Sequence, residues 1–263
     1  MILGLIGCGK MGGSLLKGIT TQKVGESLEM VLYSRTRTSA EILASDVDGR
    51  VADSLQDLVR EADILVLGVK PNQLVDVFAQ EISWDNKLIV SLAAGVSIQK
   101  LKEMAGQGAR VVRVMPNTPS LIGEGASAYC KEKSVTDVDE EWVEKILSCV
   151  GLSVRVEESL MDAVTGVSGS GPGYVLTIIE ALTDAGVQQG LPRPLALQLV
   201  CQTLKGTAML VEQSGEHPAA LRDQVTSPGG TTITGLAALE QGGLRATLQN
   251  AVTAATKRSI ELG

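Results

Sequence analysis

Short, nearly continuous apolar runs recur through the first half of the chain, at 2–6, 30–33, 64–69, 88–92 and 111–115. Segments with helical spacing lie between them, such as 11–19 and 74–78. Apolar runs of about five residues separated by helices predict a mostly parallel sheet buried on both faces. Right-handed crossovers then wind it into a doubly wound, Rossmann-type α/β fold. The pattern changes after Val156, where no further run reads as a strand. Residues 170–189, 192–213 and 243–262 read as long helices, with a shorter one over 231–239. Over 175–187 the apolar residues fall on nearly every face, and a helix of that kind is buried. A domain of about 100 residues has few places to bury it, so a second subunit is expected to cover it. The pattern divides the chain near 156–160, into 1–157 and an all-helical 158–263. Neither a low-complexity linker nor a repeat is visible.

Composition narrows the function classes. The chain has 263 residues, 44% hydrophobic and 20% charged, as in ordinary globular proteins. Aromatic residues make up 2%, with one phenylalanine, so the core must be aliphatic. That scarcity removes a base-stacking surface, and a net charge of −7 removes the electrostatic footprint of a nucleic-acid binder. No apolar run reaches membrane-spanning length and the N-terminal residues do not read as a signal peptide. Cys8, Cys130, Cys149 and Cys201 are widely spaced, which fits reduced cytoplasmic thiols better than disulfides or a metal site. No metal is expected.

Candidate chemistry begins at "LGLIGCGKMGGSLLKGI", a strand, a turn and a helix. Gly7, Gly9 and Gly12 have the G-x-G-x-x-G spacing of a dinucleotide site. The first makes the turn, the second admits the pyrophosphate and the third lets helix and strand pack closely. Phosphates would sit on the helix N-terminus, against the turn formed by Gly7, Cys8, Gly9, Lys10, Met11 and Gly12. The alternative is a structural glycine turn. NAD-binding folds place an acid at the end of the second strand. Here that place reads "LYSRTRT", with no acid; Ser34, Arg35 and Arg37 suit a 2′-phosphate, unless they form only a solvated basic turn. The expected cofactor is therefore NADPH, with NADH also admitted. Val69, Lys70 and Pro71 follow the 64–69 run, at a strand end where such folds bind ligands.

The stretch "TSPGGTTITGL" at 226–236 raises a separate question. By itself it reads as a helix cap preceded by Pro228 or as a ligand cradle. Together with "GLIGCGKMG", "GVKP", "RVMPNTP", "SGSGPGY" and "LRDQVTSPGGTTITGLAALE", it resembles the pyrroline-5-carboxylate reductase family across the whole chain. The resemblance implies a Rossmann domain, a helical C-terminal dimerisation domain and a nicotinamide cofactor. It also implies a homodimer, with a larger ring such as a decamer left open. The substrate would be a five-membered cyclic imine bearing one carboxylate, reduced to proline. Gly229, Gly230 and Thr231 would offer N–H groups to the carboxylate. Thr232, the catalytic candidate, would hold the ring nitrogen. Ser170 would lie by the substrate and Asn117 by the cofactor. The roles of Glu180, Asp184 and His217 stay open; a structural role suits His217 before Pro218. Two other readings compete: a related Rossmann reductase or hydroxy-acid dehydrogenase, and a non-catalytic NADP-binding regulator. The first has no need of the "SPGGTT" helix start and wants a Lys or His in the helical part, where Lys205 is the candidate. The second would keep the glycine turn and lack imine turnover.

Overall fold

A computed structural model describes residues 1–22, 24 and 28–262. Strands and helices alternate from the start: β1 (Ile2–Ile6), α1 (Lys10–Thr21), β2 (Glu29–Tyr33), α2 (Arg37–Val47), β3 (Arg50–Val51), α3 (Leu55–Glu61) and β4 (Ile64–Leu67). They continue with α4 (Leu74–Phe78), β5 (Leu88–Ser91), α5 (Ile98–Ala105), β6 (Arg110–Met115), β7 (Gly125–Lys131), α6 (Asp137–Ser148) and β8 (Gly151–Arg155). The strands form one sheet in the order β3-β2-β1-β4-β5-β6-β7-β8. All neighbours run parallel except β6 and β7. The order reverses beside β1, so the carboxyl ends of β1 and β4 open onto the crevice where such sheets bind ligands.

The apolar runs are continuous because alternate residues feed different cores. Leu3 and Leu5 of β1, Leu32 of β2 and Val66 of β4 pack with α1, α2 and α6. Ile6, Val31, Leu65 and Leu67 pack on the opposite face with α3, α4 and α5. Each such side chain, fully buried, contributes roughly 1.5–3 kcal/mol. Local signals set the helix starts. Ser54 caps α3 by accepting the Asp57 N–H, and Ser97 caps α5 by accepting the Lys100 N–H. Thr136 and Asp139 form a reciprocal capping box on α6.

All five predicted strands are present. Three others, β3, β7 and β8, were not anticipated. Strand β7 reads "GASAYCK", with small residues where an apolar run was sought. Strand β8 is the sheet's edge, and its Leu152 and Val154 are exposed.

The rest of the chain is helical: α7 (Met161–Val164), a π-helical turn (Thr165–Gly169), α8 (Gly171–Gln188), α9 (Arg193–Ser214), α10 (Pro218–Gln224), α11 (Thr231–Gln241) and α12 (Leu244–Leu262). Two compact units result. One comprises Met1–Ser170 with Thr253–Gly263, the other Gly171–Val252. Among the described residues, no helix is long and apolar enough to cross a membrane.

Candidate functional site

In the first unit the β1–α1 turn forms one wall of a cleft of about 370 Å³. Gly7 has φ +94°, and a Cβ there would lie 2.5 Å from Val69 Cγ1, so only glycine fits. A Cβ on Gly12 would lie 2.8 Å from Leu5 Cδ1, because helix and strand meet there. Gly9 differs. A Cβ there meets nothing nearer than the Gly68 carbonyl at 3.7 Å. Protein packing does not require glycine at this position, whereas a ligand resting on the backbone would. Gly9 is also the N-cap of α1, whose first turn has no side-chain cap and no acidic residue. Its leading N–H groups are thus free to meet an anion.

The same cleft gathers Gly7, Cys8, Gly9, Ser34, Arg35, Val69 and Lys70. Lys10 lines a neighbouring groove with Cys8 and Gly9, and Met11 lines a small void beneath α1. Pro71 opens a short 3-10 turn beside the cleft. Arg37 is turned elsewhere: its Nε lies 3.0 Å from Glu41 and its Nη1 3.5 Å from Asp53. Arg35 is exposed and makes no ion pair among the described residues. Ser39, in the first turn of α2, lines the cleft, and Arg37 does not. Burial pushes the Cys8 thiol up to about 11, so it is protonated at neutral pH and contributes no charge.

Asn117 is buried just beyond β6. Its oxygen accepts the Ala126 N–H at 2.8 Å, and its nitrogen donates to the Ser168 carbonyl at 3.2 Å. Ser170 ends the π-helical turn, with its N–H bonded to the Thr165 carbonyl.

The second unit carries the other group. Gly229 has φ +68° and turns the chain into α11, whose N-cap is Gly230. No side chain caps this helix. The Thr234 hydroxyl donates back to the Gly230 carbonyl at 2.9 Å. The exposed Thr231 and Thr232 hydroxyls have no hydrogen-bond partner among the described residues. A hydroxyl-rich helix start that leaves its own N–H groups uncapped is built differently from an ordinary cap. His217 is the N-cap of α10, where its Nδ1 accepts the Ala219 N–H at 3.2 Å. Asp184 pairs with Arg193 at 2.6 Å, and Glu180 shares a surface groove with Arg193.

Residues 158–262 match the family described as pyrroline-5-carboxylate reductase dimerisation. Residues 2–95 match the family described as NADP oxidoreductase, coenzyme F420-dependent. A pyrroline-5-carboxylate reductase from Glycine max is 45% identical, over 99% of this chain and 95% of that one. The enzyme of the same name from Escherichia coli (strain K12) is 37% identical, over 99% and 97%. The chain belongs to the pyrroline-5-carboxylate reductase family. Solved structures agree. The Plasmodium falciparum pyrroline carboxylate reductase with NADP bound has a TM-score of 0.87 at 38% identity, covering 100% of this chain and 98% of that one. A pyrroline-5-carboxylate reductase from Coxiella burnetii has a TM-score of 0.91 at 31% identity, over 99% and 98%.

For a member of this family, several cleft residues escaped the sequence reading. Ser39 and Gln73 needed the starts of α2 and of the 71–73 turn to be located first. Gly68 was legible in principle. A Cβ there would lie 2.7 Å from the Gly7 carbonyl, and a glycine ending a strand opposite a glycine turn signals such close approach.

Proposed function

We propose that this chain is a pyrroline-5-carboxylate reductase, reducing the cyclic imine 1-pyrroline-5-carboxylate to L-proline with NADPH, and less well with NADH. This is the last step of proline formation. The observation that carries the reading is the start of α11, an uncapped helix N-terminus beside a threonine hydroxyl without a partner among the described residues. The substrate has one carboxylate and one ring nitrogen. The N–H groups of Gly229 and Thr231 take the carboxylate, assisted by the helix dipole; the Gly230 N–H, also expected there, instead donates to the Ser227 carbonyl at 3.0 Å and is spent in the turn. The Thr232 hydroxyl holds the ring nitrogen, and Ser170 is a further substrate-binding residue.

The cleft residues fit a phosphorylated dinucleotide. The backbone from Gly7 to Gly12, through Cys8, Gly9, Lys10 and Met11, cradles the pyrophosphate. Ser34 and Arg35 hold the 2′-phosphate. Val69, Lys70 and Pro71 line the path toward the reacting end. When bound, the nicotinamide supplies a hydride to the imine carbon. The ring nitrogen enters protonated, and its charge is neutralised as the C–H bond forms, so no acid–base pair is needed. What the chain contributes is position and a fixed electrostatic field.

The division 1–157 and 158–263 assigns cofactor binding to the first part and substrate binding and dimerisation to the second. The protein works as a homodimer in the cytoplasm, and its dimers are able to gather into a larger ring such as a decamer. The free state of all four cysteines supports the cytoplasmic assignment. The deciding experiment mixes purified protein, NADPH and the cyclic imine, and follows loss of reduced-nicotinamide absorbance with formation of proline. Tight NADPH binding without imine turnover would favour a regulator. Turnover of a hydroxy acid instead of the imine would favour a dehydrogenase.

A further inference from the structure

Asn117 presents an amide whose orientation is fixed by chemistry. One side faces the Ala126 N–H, which only an oxygen can accept, and the other faces the Ser168 carbonyl, to which only a nitrogen can donate. Both bonds are to backbone, and the residue is buried. The bond to Ser168 meets a specific need. In an ordinary helix that carbonyl would accept the N–H four residues on, but residue 172 is proline and has none. The chain here is also out of α-helical register. The Ser170 N–H bonds five residues back, to the Thr165 carbonyl at 2.8 Å. Single π-helical turns of this kind recur at functional sites. A second contact grips the same turn. A Cβ on Gly169 would lie 2.3 Å from Met115 Cε, so the end of β6 packs directly on Gly169. The end of β6 and the loop just beyond it thus hold the turn, Met115 packing on Gly169 and the Asn117 amide bonding the Ser168 carbonyl, immediately before Ser170.

We infer that Asn117 is a positioning residue for the substrate rather than a cofactor contact: it fixes the Thr165–Gly169 turn and through it the placing of Ser170. This rests on the proposed function, in which Ser170 is a substrate-binding residue. Asn117→Asp tests it with the least change of shape. The carboxylate still accepts from Ala126 but sets an oxygen against the Ser168 carbonyl. NADPH affinity, read by fluorescence titration without substrate, should stay within about twofold of wild type. KM for the imine should rise roughly tenfold or more, as for one lost orienting hydrogen bond. The defect relative to wild type should shrink as pH is lowered from about 8 to about 6, because a protonated carboxyl donates again and burial beside a carbonyl favours that form. Asn117→Ala should show the KM defect without recovery at low pH. If Asn117→Asp weakens NADPH as much as it raises KM for the imine, Asn117 is a cofactor contact and the inference fails. An unchanged KM also overturns it, as does loss of NADPH binding by this variant. Wild-type protein without imine turnover would instead remove the proposed function.

Discussion

Arg35 and Arg37 stand two residues apart yet have different surroundings. Arg35 lines the cleft with Ser34 and has no acidic partner among the described residues, whereas Arg37 is engaged by Glu41 and Asp53 outside it. Charge-assisted hydrogen bonds to a phosphate are worth roughly 1.5–3 kcal/mol each, or about ten- to a hundredfold in affinity. Arg35→Ala should therefore weaken NADPH by that amount and leave NADH nearly unchanged. Arg37→Ala should cost NADPH several-fold less, because surface pairs such as Arg37–Glu41 mark a side chain already engaged elsewhere. Paired titrations with both cofactors check this, and equal losses of NADPH and NADH in Arg35→Ala would remove the 2′-phosphate assignment. Thr232 makes the second prediction at this scale. Its hydroxyl has no partner among the described residues, so Thr232→Ala should leave fold and NADPH affinity intact. Turnover of the imine should slow by a barrier of about 1–3 kcal/mol. Thr232→Ser should recover much of the rate. Full activity in Thr232→Ala would reduce the hydroxyl to part of a helix start.

Among the elements, the β1–α1 turn separates two kinds of glycine. Gly7→Ala forces a Cβ against Val69 at a left-handed φ, so it should destabilise the fold by roughly 2–4 kcal/mol and lower the melting temperature. Gly9→Ala has room within the protein and should melt near wild type, yet lose NADPH affinity. The N-terminus of α6 makes a different prediction. Burial alone would raise the Asp139 pKa, but hydrogen bonds from Arg110 and Thr136 outweigh it and hold the carboxyl below its ordinary value. The Arg110 contact is bidentate, at 2.8 and 3.1 Å. A depressed folded pKa means that this stabilisation is complete above the unfolded value of about 3.9 and is lost as pH falls through the lower folded value. Melting temperatures measured down through that window should fall less steeply for Asp139→Asn than for wild type. An identical acid limb would show that the pair is not what titrates. The elements also show what a sequence can carry. The five strands with apolar runs were legible because each is buried on both faces. β7 was not, since Gly125, Ala126, Ser127 and Ala128 fill their places by being small. The glycine turn and the hydroxyl-rich start of α11 were visible because their chemistry is local. The roles of Ser39, Gln73 and the Asn117–Ser168 link were hidden, because each depends on residues brought together only by the fold.

At the scale of the whole molecule, the second unit lacks a core of its own. In Gly171–Val252, all of it described, only Thr183, Ala196 and Leu221 are buried. Leu176 is 65% exposed, on the helix whose apolar residues fall on nearly every face, and Leu199 and Leu210 on α9 are each 50% exposed. Monomeric proteins rarely leave contiguous apolar surface of this extent in water. The region also falls within the 158–262 match to a dimerisation family. A second copy arranged about a two-fold axis would cover the same patch on both chains at once. Folding of this unit should then be coupled to association, and stability should depend on protein concentration by mass action. Leu176→Arg, within 175–182, buries a charge in any such interface and should shift the protein toward monomer in sedimentation. The melting temperature and imine turnover should fall with it, whereas the first unit, with its own two-sided core, should keep measurable NADPH binding. Dilution of the wild-type protein should produce the same joint loss, reversed on reconcentration. A sedimenting monomer with full activity would show that the exposed helices need no partner, and that the cradle at 229–232 is complete within one chain.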